Sequence, residues 1–486
     1  MRKKINKICL VQPSCIMAYG NSKSVWPPIG ILSLSSSLLA RGYDVSIVDG
    51  ILEGYEQDSP IDDNTFLMGL RPEELAGIIL KHTPDVVGFS ILFVNQIENA
   101  LHTARIVRKY NSDIFLLWGG PIVTLKSQYF ILIPEVDGII LGESDISGPE
   151  FIDKLQSKKA RPIPGTGIRC SKGFELDIAF QPVHDLDILP LPARDLIDMR
   201  CYMDKVQYFK VLPKQLPATT IMTSRGCPFK CIFCSAPVLY NNSYRYRSPK
   251  NVLDEIDLLV NKYGIKEFII LDENFCVNRE RTEKLIDLII ERDYGITWYA
   301  ASGMHVMTLT EKILEKMVSS GLYKLKVSFE SGNERVLKEI IHKNIDLKYG
   351  ETIIKKAKEL GLAVGANFIL GFPWETRLEI LDSFEYAKQL DLDFTLWTLA
   401  TPYPHTHLTE RAIKEGLLPN DFDFTDLIPG RAYFDLVDVS RAELEKWREE
   451  FWEKLNFCNA EKSRRYYQYA LVNPNYRPPI KPDKSI

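Results

Sequence analysis

The sequence predicts an α/β protein built as two successive arrays, a doubly wound parallel sheet and then a partial (βα)6 barrel, ending in a helical tail. Three observations carry this. Short, continuous, β-branched apolar runs flanked by Gly, Pro or Asp alternate with stretches of helical periodicity, the pattern of parallel strands buried on both faces. The alternation occurs twice, and between the two series Pro162, Pro164, Pro182, Pro190, Pro192, Pro213 and Pro217 interrupt every potential helix. A length of 486 residues supports two or three domains, each with its own core.

In the first array the strands read KICLVQP from Lys7, DVSIVDG from Asp44, DVVGFSIL from Asp85, IFLLWGG from Ile114 and DGIILGE from Asp137. Helical stretches at Ile29 to Arg41, Arg71 to His82 and Asn95 to Tyr110 separate them, so a doubly wound parallel sheet is expected over residues 1–157. Ligands bind such sheets at the carboxyl ends of the strands. Those ends carry Gln12, Pro13, Ser90, Gly119, Gly120, Pro121, Gly142 and Glu143, and the glycines would let a large flat ligand approach the backbone. Residues 158–217 read as a connector with short strands, one from Phe174 to Ile178.

The second array, 218–404, starts with TTIMTS and continues through EFIILDEN, TWYAASG, KLKVSFESG, AVGANFILGFP and DFTLWTLATPYP. Helices are expected at Pro249 to Tyr263, Arg279 to Arg292, Thr310 to Ser320, Glu334 to Leu360 with a break near Lys343, and Arg377 to Leu390. Six βα units fall short of the eight of a closed barrel, so an open or partial barrel is expected, with catalytic groups at the strand C-termini. The tail, 405–486, is helical, and its Trp447, Phe451, Trp452, Tyr466, Tyr467 and Tyr469 have the spacing of packing residues.

Composition excludes several classes. Sixty basic and 64 acidic residues give a net charge of −4, so no global field recruits nucleic acid or an anionic membrane. The first apolar run stops at Gln12-Pro13, too short for a signal peptide, and no segment reaches the length of a membrane span. Nine cysteines, an odd number and widely scattered apart from one triplet, argue against a disulfide framework and for a reducing, cytoplasmic setting.

Three of those cysteines are not scattered. Cys227, Cys231 and Cys234 stand as CxxxCxxC in SRGCPFKCIFCSAP, on a loop broken by Gly226 and Pro228 at the end of the first strand of the second array. Three thiolates on one loop can hold an iron–sulfur cluster and leave one iron without a protein ligand.

This spacing, with Phe233 before the third cysteine and six βα units around it, resembles the radical S-adenosylmethionine (SAM) superfamily. The resemblance implies a 4Fe-4S cluster on Cys227, Cys231 and Cys234 whose open iron chelates SAM. Further positions match in order: Asp272-Glu273-Asn274 closing the second strand, Ser328-Phe329-Glu330-Ser331-Gly332 ending the fourth, and FILGFP from Phe368 to Pro373 ending the fifth. By resemblance Phe233, Asn274, Glu330, Ser331, Leu370 and Gly371 would contact SAM. The flavodoxin-like sheet in front, with its WGGP loop, is similar to the cobalamin-binding class of that superfamily, and the likeness spans Lys7 to Pro404. No Asp-x-His-x-x-Gly occurs, so cobalamin without a protein histidine ligand is implied.

The resemblance implies reductive cleavage of SAM and most often methylation of an unactivated carbon, or a phosphinate centre, in a small molecule. Oxidative cyclisation, ring contraction and oxygen insertion share the same parts, and a binding protein on the same scaffold is the reading from another class. A reductant such as flavodoxin or ferredoxin is implied. Cys276, Tyr403 and His405 are candidates for the substrate cavity, and the residues that act in catalysis are not named by the sequence.

Overall fold

The apolar runs of the first array pair in register as parallel strands, because each is apolar on both faces and needs helices above and below it. The computed structural model describes residues 4–456 except 19–22, 24, 64, 158–160, 204, 206–212 and 429. Tyr466, Tyr467, Tyr469 and the end of the tail therefore lie outside the described residues. The chain divides into two units, one up to residue 205 and one from residue 213.

In the first unit β1 (Lys7–Gln12), β2 (Asp44–Asp49), β3 (Val86–Ser90), β4 (Phe115–Gly119) and β5 (Gly138–Ile140) lie in the order β2-β1-β3-β4-β5, all parallel. This is the 2-1-3-4-5 order of flavodoxin-like sheets, whose direction reverses between the first and third strands. Helices α1 (Ile29–Ala40), α2 (Pro72–Lys81), α3 (Ile97–Tyr110) and α4 (Ser144–Leu155) connect and cover it. The core centres on Trp118, stacked on Phe89 at 4.7 Å and 5.7 Å from Phe130. Beyond β5 the sheet continues antiparallel with β6 (Thr166–Cys170) and β7 (Gly173–Leu176), which come from the segment expected as a connector.

In the second unit β8 (Ala218–Ile221), β9 (Glu267–Ile270) and β10 (Thr297–Ala300) form one parallel group, and β11 (Lys324–Glu330), β12 (Ala363–Leu370) and β13 (Phe394–Leu399) another. Parallel bridges Trp298↔Leu322 and Met304↔Val327 join them into six strands in chain order. Helices α5 (Pro249–Tyr263), α6 (Arg279–Arg292), α7 (Glu311–Ser319), α8 (Leu347–Glu359) and α9 (Arg377–Gln389) follow successive strands. α5 illustrates how local chemistry sets bounds: Ser248 Oγ accepts from Asn251 N at 3.2 Å, Pro249 opens the helix, and Gly264 at φ +67° ends it.

The two faces of this sheet differ. Val327, Phe329, Phe368 and Trp397 are buried toward the helices, with Phe368 stacked on both Phe329 and Trp397. On the other face Met222, Leu271, Lys326, Ser328, Asn367 and Leu396 each keep some accessible surface. That alternation gives a partial barrel with an open lumen. The free edge at β13 is closed by α11 (Arg441–Asn456), which follows α10 (His407–Lys414): Asn456 Oδ1 accepts from Thr395 N at 2.7 Å, and Phe451 packs on Trp397 and Trp447.

The break expected near Lys343 is a π-helix, Val336–Ile341, closed by His342 at φ +60°. Among the described residues no helix is long and apolar enough to cross a membrane.

Candidate active site

The cysteine loop leaves β8 through Ser224–Gly226, which pairs with Tyr244–Tyr246. Gly226 takes φ +78°, and an added Cβ would lie 2.0 Å from the Ser243 carbonyl oxygen, so no side chain fits. Asp272 is fully buried and holds the entry, accepting at 2.6 Å from Thr223 N, Thr223 Oγ1 and Ser224 Oγ. Arg281 braces the same segment through Thr223 Oγ1 and the Thr223 carbonyl. Glu273 accepts from Gly226 N at 3.0 Å, and burial pushes its carboxyl up to about 7. Further along, Ile232 N donates to the Ile341 carbonyl at 3.0 Å and the Ile232 carbonyl accepts from Leu408 N at 2.9 Å. The loop is thus fixed at its start, middle and underside.

Burial pushes the Cys227 and Cys234 thiols up to about 11 and Cys231 up to about 12, the neighbouring thiols and acids add to the rise, and the Lys343 ammonium opposes it at Cys227 and Cys231. The cysteines thus share one electrostatic neighbourhood, and loading a metal requires release of their protons. Among the described residues no three His, Cys, Asp or Glu side chains converge on a single metal ion. A cubane cluster does not ask for that, since each thiolate binds a different iron. A soft all-sulfur donor set on a locked loop fits the group.

Beside the loop, β11 carries a register shift between Ser328 and Glu330, and Glu330 ends the strand at φ +72°. Its carboxylate accepts from Lys343 Nζ at 2.8 Å, and Lys343 also donates to the Ser328 carbonyl at 2.6 Å. Both side chains are buried. Lys343 was not among the expected site residues. The π-helix and the left-handed His342 turn it inward, and the expected helix break was its only signal.

The other expected SAM contacts divide. Asn274 is 3% exposed and its Oδ1 has no partner, which leaves a buried acceptor for a ligand. Phe233 packs against Phe372 at 5.9 Å. Gly371 needs its φ of +84°, and its N–H, with that of Phe372, is held at 2.8 Å by Glu375 Oε2. Glu375 was also missed; burial pushes it up to about 8, and its signal was a carboxylate four residues past a turn glycine. Two expectations are corrected. Ser331 is fully buried and bonded to Ser383 Oγ of α9 at 3.0 Å, so its hydroxyl serves the helix side of the sheet. Leu370 shares that face with Phe368, which leaves only its backbone for a ligand.

Cys276 is corrected too. It is fully buried with Sγ against the Thr308 carbonyl at 3.5 Å, so it offers no cavity wall. Tyr403 and His405 are exposed after β13, His405 at φ +58°. A further residue the sequence did not single out is His305, whose ring stacks at 4.2 Å on Phe229 of the cysteine loop. Its Nδ1 accepts from Met307 N at 3.3 Å, and burial pushes its pKa down to about 3, so the neutral ring carries its proton on Nε2, which is buried without a partner.

In the first unit the candidate site lies at the carboxyl ends of β1 and β3, where the strand order reverses. Gln12 is 4% exposed and its Oε1 has no partner among the described residues. The Pro13 carbonyl accepts from Gln96 Nε2 at 2.9 Å, while Asn95 gives Nδ2 to the Ile16 carbonyl at 2.7 Å and keeps a buried, unpartnered Oδ1. Such acceptors fit the peripheral amides of a corrin. Ser90 and Gly119 are half-buried, and Pro121 starts a short helix after Gly120. The expected opening at the glycines is corrected at two positions: a Cβ on Gly120 would meet Ile91 backbone at 2.8 Å, and one on Gly142 the Phe180 ring at 2.4 Å. Those glycines admit neighbouring protein instead. Glu143 Oε2 accepts from Val183 N at 3.1 Å.

Residues 221–387 match the family model for the Radical SAM superfamily, and residues 17–152 that for the B12 binding domain. With a relative 32% identical over 418 residues, these matches make the chain a member of the cobalamin-binding radical SAM superfamily. That relative is an uncharacterized methyltransferase of Pyrococcus horikoshii, and the alignment covers 85% of each chain. Cytidylyl-2-hydroxyethylphosphonate methyltransferase of Streptomyces wedmorensis is 27% identical over 452 residues, 86% of this chain and 83% of its own. Among solved structures, the cobalamin-dependent SAM radical enzyme OxsB with aqua-cobalamin and SAM bound superposes with a TM-score of 0.70 at 15% identity, covering 96% of this chain and 71% of that one.

Proposed function

We propose that the protein is a SAM- and cobalamin-dependent methyltransferase that acts on an unactivated carbon, or a phosphinate centre, of a small molecule. Residues 1–157 serve as the cobalamin-binding domain and 218–404 as the SAM barrel. The observation that carries the reading is the cysteine loop pinned by Glu273 and Ile341 beside the buried Lys343–Glu330 pair. Two similar proteins named as methyltransferases favour methyl transfer over cyclisation.

When bound, a 4Fe-4S cluster supplies the electron that cleaves SAM, and cobalamin carries the methyl group. Cys227, Cys231 and Cys234 hold the cluster as thiolates. Lys343 offers a cation to a SAM carboxylate, while Glu330 and Asn274 Oδ1 accept from its amino or hydroxyl groups. Glu375 fixes the Gly371 turn over which an adenine can lie. Gln12 and Asn95 accept from corrin amides. A low-potential reductant completes the system.

Anaerobic reconstitution with iron, sulfide and hydroxocobalamin tests the reading. Reductant and SAM should yield 5′-deoxyadenosine together with S-adenosylhomocysteine once substrate is present. A Cys227, Cys231 and Cys234 triple alanine variant that keeps its iron sinks the ligand assignment. Deoxyadenosine without S-adenosylhomocysteine points to cyclisation or rearrangement.

A further inference from the structure

Three ammonium groups stand on or beside the inward face of the half barrel, and two of them have a carboxylate partner. Lys324, at the closed end, lies in the field of Glu267, and Lys343 is 2.8 Å from Glu330. Lys326 stands between them on β11, and among the described residues its ammonium makes one hydrogen bond, to the Ala301 carbonyl at 3.1 Å. Two of its three N–H donors remain free. Burial pushes Lys326 down to about 8, with the Glu330 carboxylate only partly opposing.

The side chains around it are polar and partly accessible. Ser328, the next inward position about 7 Å along the strand, and Asn367 beside it are both half-buried. Asn367 gives Nδ2 to Ser328 Oγ at 3.1 Å, and its Oδ1 accepts from nothing. At Gly303, an added Cβ would lie 2.8 Å from Ser328 Oγ, so only glycine leaves this pair uncovered. Free donors on Lys326 and a free acceptor on Asn367 describe a ligand with an acid group and a hydroxyl or amine near it.

We propose that the lumen binds the acidic group of the small-molecule substrate, a phosphonate, phosphate or carboxylate, with Lys326 as its counter-ion and Asn367 Oδ1 accepting from a neighbouring hydroxyl or amine. This inference rests on the barrel's reading as a radical SAM site and adds a substrate class to it. SAM's own carboxylate is the competing ligand, since the Glu330 carboxylate is near enough to act on the Lys326 ammonium.

The test uses the full, anaerobically reconstituted chain and methylphosphonate as probe, with dimethyl methylphosphonate as the uncharged control. Reductive methylation of lysines is followed peptide by peptide, with exposed Lys338 as the internal reference. At a probe concentration of about four times Kd, methylation of Lys326 should slow about fivefold relative to Lys338. The neutral ester and SAM alone should leave it unchanged. Equal labelling with and without methylphosphonate, or equal protection by the ester or by SAM, overturns the proposal. In a second arm, methylphosphonate should change the rate of 5′-deoxyadenosine release in the wild type and in Lys326→Arg but not in Lys326→Met; no effect in the wild type, or one that persists in the methionine variant, also overturns it. The two readings fail separately, because a wild-type protein that forms no cluster and releases no deoxyadenosine defeats the proposed function while Lys326 protection is still scored.

Discussion

The two sheets use the same βα repeat and reach opposite interiors. In the first unit β1, β3, β4 and β5 are apolar on both faces and covered by helices, and their polar groups are confined to the strand ends. In the second, β11 alternates Lys324, Lys326, Ser328 and Glu330 on one face with Leu325, Val327 and Phe329 on the other. Parallel strands seldom alternate in this way, and here the alternation marks a face turned to a lumen instead of a helix. The difference separates two ways of holding a ligand: at the rim of a dry sheet, or inside a wet one.

If that contrast is right, charge removal should damage the second unit far more than polar loss damages the first. The largest effect is expected for Asp272→Asn, which strips the cysteine loop's anchor and leaves Arg281 buried without its counter-charge. The cost should be about 3–5 kcal/mol, read by denaturant unfolding of the apoprotein. Next comes Lys343→Met, expected to cost about 3 kcal/mol, with the Lys343→Met/Glu330→Gln double variant recovering part of it. Additive losses would mean the pair is not coupled.

Glu375 gives a pH signature. Its folded pKa of about 8 lies above the ordinary 4.5, so the native state keeps a proton that the unfolded state has released. Its contribution is full below about 4.5 and is lost as pH rises toward 8, with Glu273, raised to about 7, adding the same sign. Stability of the second unit should therefore fall between pH 5 and 8, less steeply in Glu375→Gln. The smallest effect on folding is expected in the first unit, where Gln12→Leu removes an acceptor with no protein partner and should shift stability by under about 1 kcal/mol. The same variant should weaken corrinoid binding about tenfold, seen by titration of the corrinoid absorbance; unchanged binding would remove Gln12 from that site.

Much of this was legible in the chain itself. The strand runs, the bounds of α5 and α6, the cysteine loop and the glycine turn at Gly371 follow from local chemistry that needs no tertiary information. Lys343 and His305 were not legible, because a π-turn and a ring stacked on the cysteine loop set their directions, and neither leaves a period in sequence. Ser331 and Cys276 were misassigned by proximity to a motif: Ser331 follows a register shift and the left-handed Glu330, and its bond to Ser383 of α9 marks its direction. The closed glycines, Gly120 and Gly142, show the limit of reading φ freedom as ligand space, since Ile91 and Phe180 come from elsewhere in the chain to fill it.

The hydrogen bond from Ile232 to Ile341 has a mechanical meaning. It ties the middle of the cysteine loop to the turn that aims Lys343, so a substitution that shifts either segment would be felt at both the thiols and the ammonium.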